Sequence, residues 1–120
     1  MNVLIVESQP DLAALWKRHL ERQGADVTAV GTQEAAITAL CSSAFEIIVL
    51  DLILEQGSAL AVADFVSYRR PDARIIFVTN TSFFSDGSIF AFSSNACAYV
   101  QSETPPEDLA AMVEHFAASA

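Results

Sequence analysis

Three polar residues stand where apolar runs of this sequence stop, and their types suit one kind of chemistry. Val3-Leu4-Ile5-Val6 ends on Glu7, Phe45-Glu46-Ile47-Ile48-Val49-Leu50 ends on Asp51, and Ile75-Ile76-Phe77-Val78 ends on Thr79. Tyr99 lies in a further run, and Ser102 just beyond it. Two carboxylates facing a hydroxyl offer hard oxygen ligands to Mg²⁺ and a donor to a phosphoryl oxygen, provided that they converge. One aspartate at the end of one run can equally cap the next turn, so the elements that carry these residues decide between the two readings.

Unbroken runs of large aliphatic residues suit strands buried on both faces, as in the middle of parallel sheets. Glu7 and Asp51 then sit at carboxyl ends of strands, where open α/β sheets bind their ligands. After the first run, Ser8, Pro10 and Asp11 predict a helix start with the Ser8 hydroxyl as N-cap. Leu12, Leu15, Trp16, His19 and Leu20 follow at helical spacing, and Gly24 supplies the stop. His19 lies on that apolar stripe and reads as a core-edge histidine, neither ligand nor base.

Ala25 to Val30 reads as a short strand, and Thr32 caps a helix running to about Cys41. Beyond Asp51, Leu52 to Gly57 forms a loop. Ser58 then caps a helix carrying Leu60, Ala63, Phe65 and Val66, which Pro71 ends. Arg74 to Thr79 is a fourth strand and Ala96 to Gln101 a fifth. Between them, Asn80 to Asn95 is expected to form a loop and a short helix stopped by Asn95, a residue that tolerates the left-handed conformation. Thr104-Pro105-Pro106-Glu107 predicts a last helix start, with a hydroxyl cap, prolines in the first turn and the glutamate of a capping box. Leu109, Met112, Val113 and Phe116 form its buried stripe.

Five strands alternating with five helices predict one α/β domain over residues 1–120: a doubly wound, five-stranded parallel sheet of the flavodoxin-like order 2-1-3-4-5. In that order the tips of the first, third and fourth strands are neighbours. Glu7, Asp51 and Thr79 therefore converge on one pocket.

Composition bounds the function. The 120 residues suffice for one core, with 52% hydrophobic and 18% charged residues. A net charge of −9 argues against a nucleic acid partner, whose phosphates need cations to displace their counterions. No stretch is long enough to span a bilayer, and Met1-Asn2 leads into a strand pattern without a basic leader, so a cytoplasmic location away from the membrane is expected. Cys41 and Cys97 match no disulfide or zinc spacing and read as reduced thiols. Lys17 is the one lysine, and neither lysine nor arginine follows Arg74.

At these strand tips the chain resembles the receiver domain of two-component response regulators, over essentially its whole length. Residues 3–10, Val-Leu-Ile-Val-Glu-Ser-Gln-Pro, are similar to that family's acidic first-strand motif. Ile-Val-Leu-Asp-Leu at 48–52 is similar to its phosphoacceptor strand, Phe-Val-Thr at 77–79 to its threonine strand, and Asn-Ala-Cys-Ala-Tyr-Val at 95–100 to its Gly-Ala-x-x-Tyr-Leu motif. The resemblance implies a phosphoacceptor at Asp51, served by a histidine kinase, a phosphotransfer protein or a small phosphodonor. It implies that Thr79 senses the phosphoryl group, that Tyr99 reorients, and that Mg²⁺ is held by Glu7, Asp51 and the backbone carbonyl of Ile53.

The departures from the family pattern bear on that same pocket. The family has two acids after the first strand, where this chain has Glu7 and then Ser8. It has a lysine followed by proline after the fifth strand, where this chain has Ser102 and then Glu103. Loss of one carboxylate weakens a Mg²⁺ site. A hydroxyl at Ser102 donates one hydrogen bond without neutralising a phosphoryl dianion. Two readings follow. The favoured one is an atypical, or pseudo-, receiver that works through protein contacts with weak or absent Mg²⁺-dependent phosphorylation at Asp51. The other is a working phosphoacceptor in a histidine-kinase phosphorelay, whose phosphate is lost slowly because apolar Ile53 cannot orient water. Enzyme readings fit poorly. A flavodoxin-type cofactor site needs a neutral phosphate cradle where Glu7 to Asp11 stand, and an aspartate-nucleophile phosphatase needs an acid where Ile53 stands.

Phe83, Phe84, Phe90 and Phe92 are too many for one short element to bury, which predicts an apolar patch on the face of the expected fourth helix and the fifth strand, open to a signalling partner or to self-association. A charged dimer on that face is not expected, since no cation follows Arg74. Lys17, Arg18 and Arg22, with Arg69, Arg70 and Arg74, are a solvated face or a docking site for an acidic partner. No output domain follows Ala120 in this sequence, which leaves both a stand-alone protein and a piece of a longer one open.

Overall fold

The computed structural model describes residues 1–79 and 95–118. In chain order the elements are β1 (Asn2–Val6), α1 (Pro10–Arg22), β2 (Asp26–Val30), α2 (Gln33–Ser42), β3 (Ile47–Asp51), α3 (Ala59–Arg69), β4 (Arg74–Thr79), β5 (Ala96–Gln101) and α4 (Pro106–Ala118). All strand pairs are parallel, in the order β2-β1-β3-β4-β5. The expected sheet is thus present. Four helices rather than five lie among the described residues. The helix expected before Asn95, and the four phenylalanines with their apolar patch, lie outside the described residues.

The apolar runs explain the layering. Along β1, β3 and β4, Leu4, Val6, Ile48, Leu50, Ile75 and Phe77 face one core, closed by Ala36 and Leu40 of α2 and Val62, Ala63 and Val66 of α3. Val3, Ile5, Ile47, Val49, Ile76 and Val78 face the other, closed by Ala13, Trp16 and Leu20 of α1 and Leu109 and Val113 of α4. Alternate side chains leave opposite faces of a strand, so a run without polar interruption requires helices on both sides. β2 is an edge strand and shows it, with Asp26, Thr28 and Ala29 exposed where Val3 to Val6 of β1 are buried. His19 sits at the α1–α4 seam as expected, its Nδ1 3.0 Å from the Leu15 carbonyl and its Nε2 3.9 Å from Glu107.

Two predicted caps hold. The Thr32 hydroxyl accepts from Ala35 N–H at 3.1 Å and the Ser58 hydroxyl from Ala61 N–H at 3.2 Å. The other two are displaced by one residue, for a common reason. A residue preceding proline is kept out of the helical region. Gln9, before Pro10, is extended (φ −87°, ψ 110°) and becomes the N-cap of α1 without a side-chain bond, so Ser8 does not cap it. Pro105, before Pro106, becomes the last non-helical residue of α4; its carbonyl accepts from Asp108 and Leu109, and Thr104 lies one residue too early.

The helix that Asn95 was expected to stop lies outside the described residues, but the Asn95 side chain has a role of its own. Its carboxamide is buried beneath the turn between α3 and β4. Nδ2 donates toward the carbonyls of Arg70, Pro71 and Ala73 at 3.2, 3.1 and 2.6 Å, while Oδ1 accepts from the Ser67 hydroxyl at 2.6 Å. Asn95→Ala should therefore lower the unfolding free energy by about 3 kcal/mol in urea titrations, because buried carbonyls lose their donor. Asn95→Asp, which turns a carboxylate toward those carbonyls, should cost at least as much at neutral pH.

Candidate functional site

The site is built by strand order. β1 and β3 are neighbours and β4 follows, so the residues ending these strands meet at one edge of the sheet. Backbone bonds carry the ladder past the strands. Glu7 N–H donates to Val30 O at 3.0 Å, Leu52 N–H to Val78 O at 2.8 Å, and Ser102 N–H to Thr79 O at 2.8 Å. Glu7, Asp51 and Thr79 are 3%, 8% and 0% exposed. Few polar side chains sit so deep without a specific arrangement.

Glu7 and Asp51 are in direct contact. Glu7 Oε2 accepts the Gln9 N–H at 3.0 Å, while Glu7 Oε1 is buried with no donor among the described residues. Burial pushes the Glu7 carboxyl up to about 8, aided by a hydrogen bond to Asp51 and by the charge of Asp51, against the lowering effect of the Gln9 and Ser8 backbone donors. Burial and the neighbouring Asp51 both favour the protonated form of Glu7, so the two carboxyls of this dyad oppose each other's ionisation. Asp51 Oδ1 in turn accepts the Ile53 N–H at 2.9 Å.

The remaining predicted residues are distributed around this dyad. Ile53 turns its side chain outward at 59% exposure. Ser102 is half-buried at the tip of β5, tied to Thr79 through the backbone. Tyr99 is half-buried, opposite Phe77 in the β4–β5 register and packed against the α2–α3 core. Glu7 and Asp51 are thus in contact, and Thr79 and Ser102 are joined beside them. Tyr99 stands two residues below the tip, on a core face.

Ser8 carries a function that sequence reasoning missed. Its hydroxyl donates to Gly31 O at 3.2 Å and accepts Glu55 N–H at 3.0 Å, joining three loops. The signal was Pro10, which moves the cap to Gln9 and frees Ser8 for other partners. A divalent cation at this tip would draw on the carboxylates of Asp51 and Glu7. Glu7 Oε1, buried without a protein donor, is the oxygen a cation would take, in competition with a proton. Among the described residues no group of three or more His, Cys, Asp or Glu side chains is placed to share an ion. The residues fit Mg²⁺ only as a two-carboxylate site.

Comparison with known proteins agrees with this geometry. The family described as the response regulator receiver domain matches residues 3–114. The chain belongs to that family. The receiver aligns with the luminescence regulatory protein LuxO of Vibrio campbellii at 36% identity over 75 residues, which is 62% of this chain and 17% of LuxO; it thus spans a small part of the curated relatives it matches. A CheY-like receiver domain protein from Methanospirillum hungatei superposes with a TM-score of 0.88 at 21% identity, covering 98% of this chain and 94% of that one. The receiver domain of a putative LuxO repressor protein from Vibrio parahaemolyticus gives 0.87 at 24% identity, covering 98% and 90%. TrrA from Thermotoga maritima, solved in complex with Mg²⁺ and BeF, gives 0.81 at 23% identity, covering 96% and 97%. Among the described residues no helix is long and apolar enough to cross a membrane.

The dyad predicts a sign for the pH dependence of stability. A carboxyl whose proton is held more tightly in the folded chain contributes stability that is present in full below its ordinary value of 4.5 and is lost as pH rises toward about 8. In chelator-treated protein, urea midpoints should fall between those limits, and Glu7→Gln should flatten that part of the profile. Asp51→Asn removes two of the causes and should shift the fall to lower pH. Parallel profiles for wild type and Glu7→Gln would refute the raised Glu7 carboxyl.

Proposed function

We propose that this receiver is an atypical one: a signalling module, not an enzyme, that acts in the cytoplasm through protein contacts, with weak or absent Mg²⁺-dependent phosphorylation at Asp51. The observation that carries this reading is the state of the carboxylate pair. The position after Glu7 that would supply another carboxylate is a serine whose hydroxyl is already bonded to Gly31 and Glu55, and burial beside Asp51 raises the Glu7 carboxyl toward its protonated form. A protonated Glu7 is a poor metal ligand until it loses that proton.

Phosphoryl transfer depends on positioning and on neutralising the oxygens of the transferred group. Mg²⁺, where bound by Asp51, Glu7 and the Ile53 carbonyl, would supply that neutralisation. The chain's own groups supply little of it. In this reading Thr79 senses a phosphoryl oxygen on Asp51, Tyr99 reorients with it, and Ser102 donates one hydrogen bond from the lysine position. No lysine or arginine follows Arg74, and Glu103 beside Ser102 has the wrong sign. The partner in this reading is a histidine kinase, a phosphotransfer protein or another signalling protein, met by a preformed surface.

The alternative, a working phosphoacceptor in a phosphorelay, is supported by Asp51 itself, which keeps its place at the strand tip with one oxygen oriented by the Ile53 N–H. Titration with beryllofluoride at millimolar Mg²⁺, followed by Trp16 fluorescence and by amide shifts near Asp51 and Thr79, separates the two. Little or no saturable change is expected for the wild type. A double variant, Ser8→Asp with Ser102→Lys, restores one oxygen ligand and one cation and should respond. A saturable wild-type response at ordinary Mg²⁺ would overturn the atypical reading in favour of the phosphoacceptor.

A further inference from the structure

We propose that Ser8 is a positioning residue whose hydroxyl locks the loop between β3 and α3 onto the ends of β1 and β2, holding that loop in place with no ligand at Asp51. The two bonds reach across the chain, 23 residues to Gly31 O and 47 residues to Glu55 N–H. They need a group that donates and accepts at once. A hydroxyl does both; a carboxylate could accept from Glu55 but would set its lone pairs against those of the Gly31 carbonyl. Position 8 can therefore serve as a clamp or as an anionic ligand, and in this chain it is a clamp.

The rest of the loop is fastened from the same side. Gln33 at the start of α2 accepts the Ser58 N–H through Oε1 at 2.8 Å and donates its own N–H to Gln56 O at 3.2 Å. Gly57 makes this approach possible. Its φ of 101° suits glycine, and a Cβ there would overlap the Cβ of Gln33. Asp51 holds the near end through the Ile53 N–H. The loop that carries the Ile53 carbonyl is thus anchored at Glu55, Gln56 and Ser58 by Ser8 and Gln33. Its conformation is set in advance of any event at Asp51. The inference rests on the atypical reading in one respect, that nothing bound at Asp51 is required to order the loop.

Amide hydrogen exchange on the full chain tests this. Ser8→Ala should speed exchange at Glu55 roughly tenfold beyond any change shared with Ile48 and Ile76 in the central strands, as expected for loss of one local hydrogen bond. Ser8→Thr, which keeps the hydroxyl, should restore protection. An unchanged Glu55 rate, a rise equal across loop and strands, or no rescue by threonine would overturn the clamp. Beryllofluoride with Mg²⁺ added to the same wild-type samples keeps the two ideas apart. A saturable wild-type response alongside selective release of Glu55 in Ser8→Ala defeats the atypical reading and leaves the clamp standing. An indifferent wild type whose Glu55 is unmoved by Ser8→Ala defeats the clamp alone.

Discussion

A strand whose side chains are apolar on both faces is stable only between two layers of helices, and three adjacent strands of this receiver are of that kind. β1, β3 and β4 are buried on both sides from Val3 to Val6, Ile47 to Leu50 and Ile75 to Val78. Parallel pairing then forces a crossover after each strand, and right-handed crossovers place α2 and α3 over one face and α1 and α4 over the other. The tips of the three strands are left side by side, facing loops instead of helices. Whatever polar residue ends each strand is delivered to one place.

That delivery sets up an electrostatic problem, which a proton or a cation can relieve. Glu7 and Asp51 are both nearly enclosed and they touch, so two charges there would repel in a medium that screens them poorly. Burial and the neighbour act in the same direction, and both favour a proton on Glu7. A cation could serve instead, but it must compete with that proton and finds two carboxylates where the family pattern has three acids. That shortage of carboxylates, with no lysine or arginine after Arg74, is what supports the atypical reading proposed above.

The loops around the tip are organised without help from that charge. Hydrogen bonds from Ser8 and Gln33 hold the loop after β3, and the positive φ of Gly57 lets it pass close to Gln33. At the opposite end of the sheet, Asn95 plays the comparable part for the turn between α3 and β4. In both places one short polar side chain satisfies backbone groups from a distant segment, and so a turn is tied to the sheet.

The sequence by itself determined the sheet, its order and the residues at its tips, because uninterrupted apolar runs and their spacing are local properties of the chain. Arg74 to Thr79 and Ala96 to Gln101 were readable as strands to the residue for that reason. The shift of two helix starts to the residue before proline was also written locally, at Gln9-Pro10 and Pro105-Pro106. The raised carboxyl of Glu7, the two partners of Ser8 and the buried carboxamide of Asn95 were decided by the tertiary structure alone. Each depends on groups brought close from far along the chain, 44 positions between Glu7 and Asp51 and 47 between Ser8 and Glu55. No local pattern encodes the distance, burial or orientation that sets a carboxyl's affinity for its proton or chooses a hydroxyl's partner.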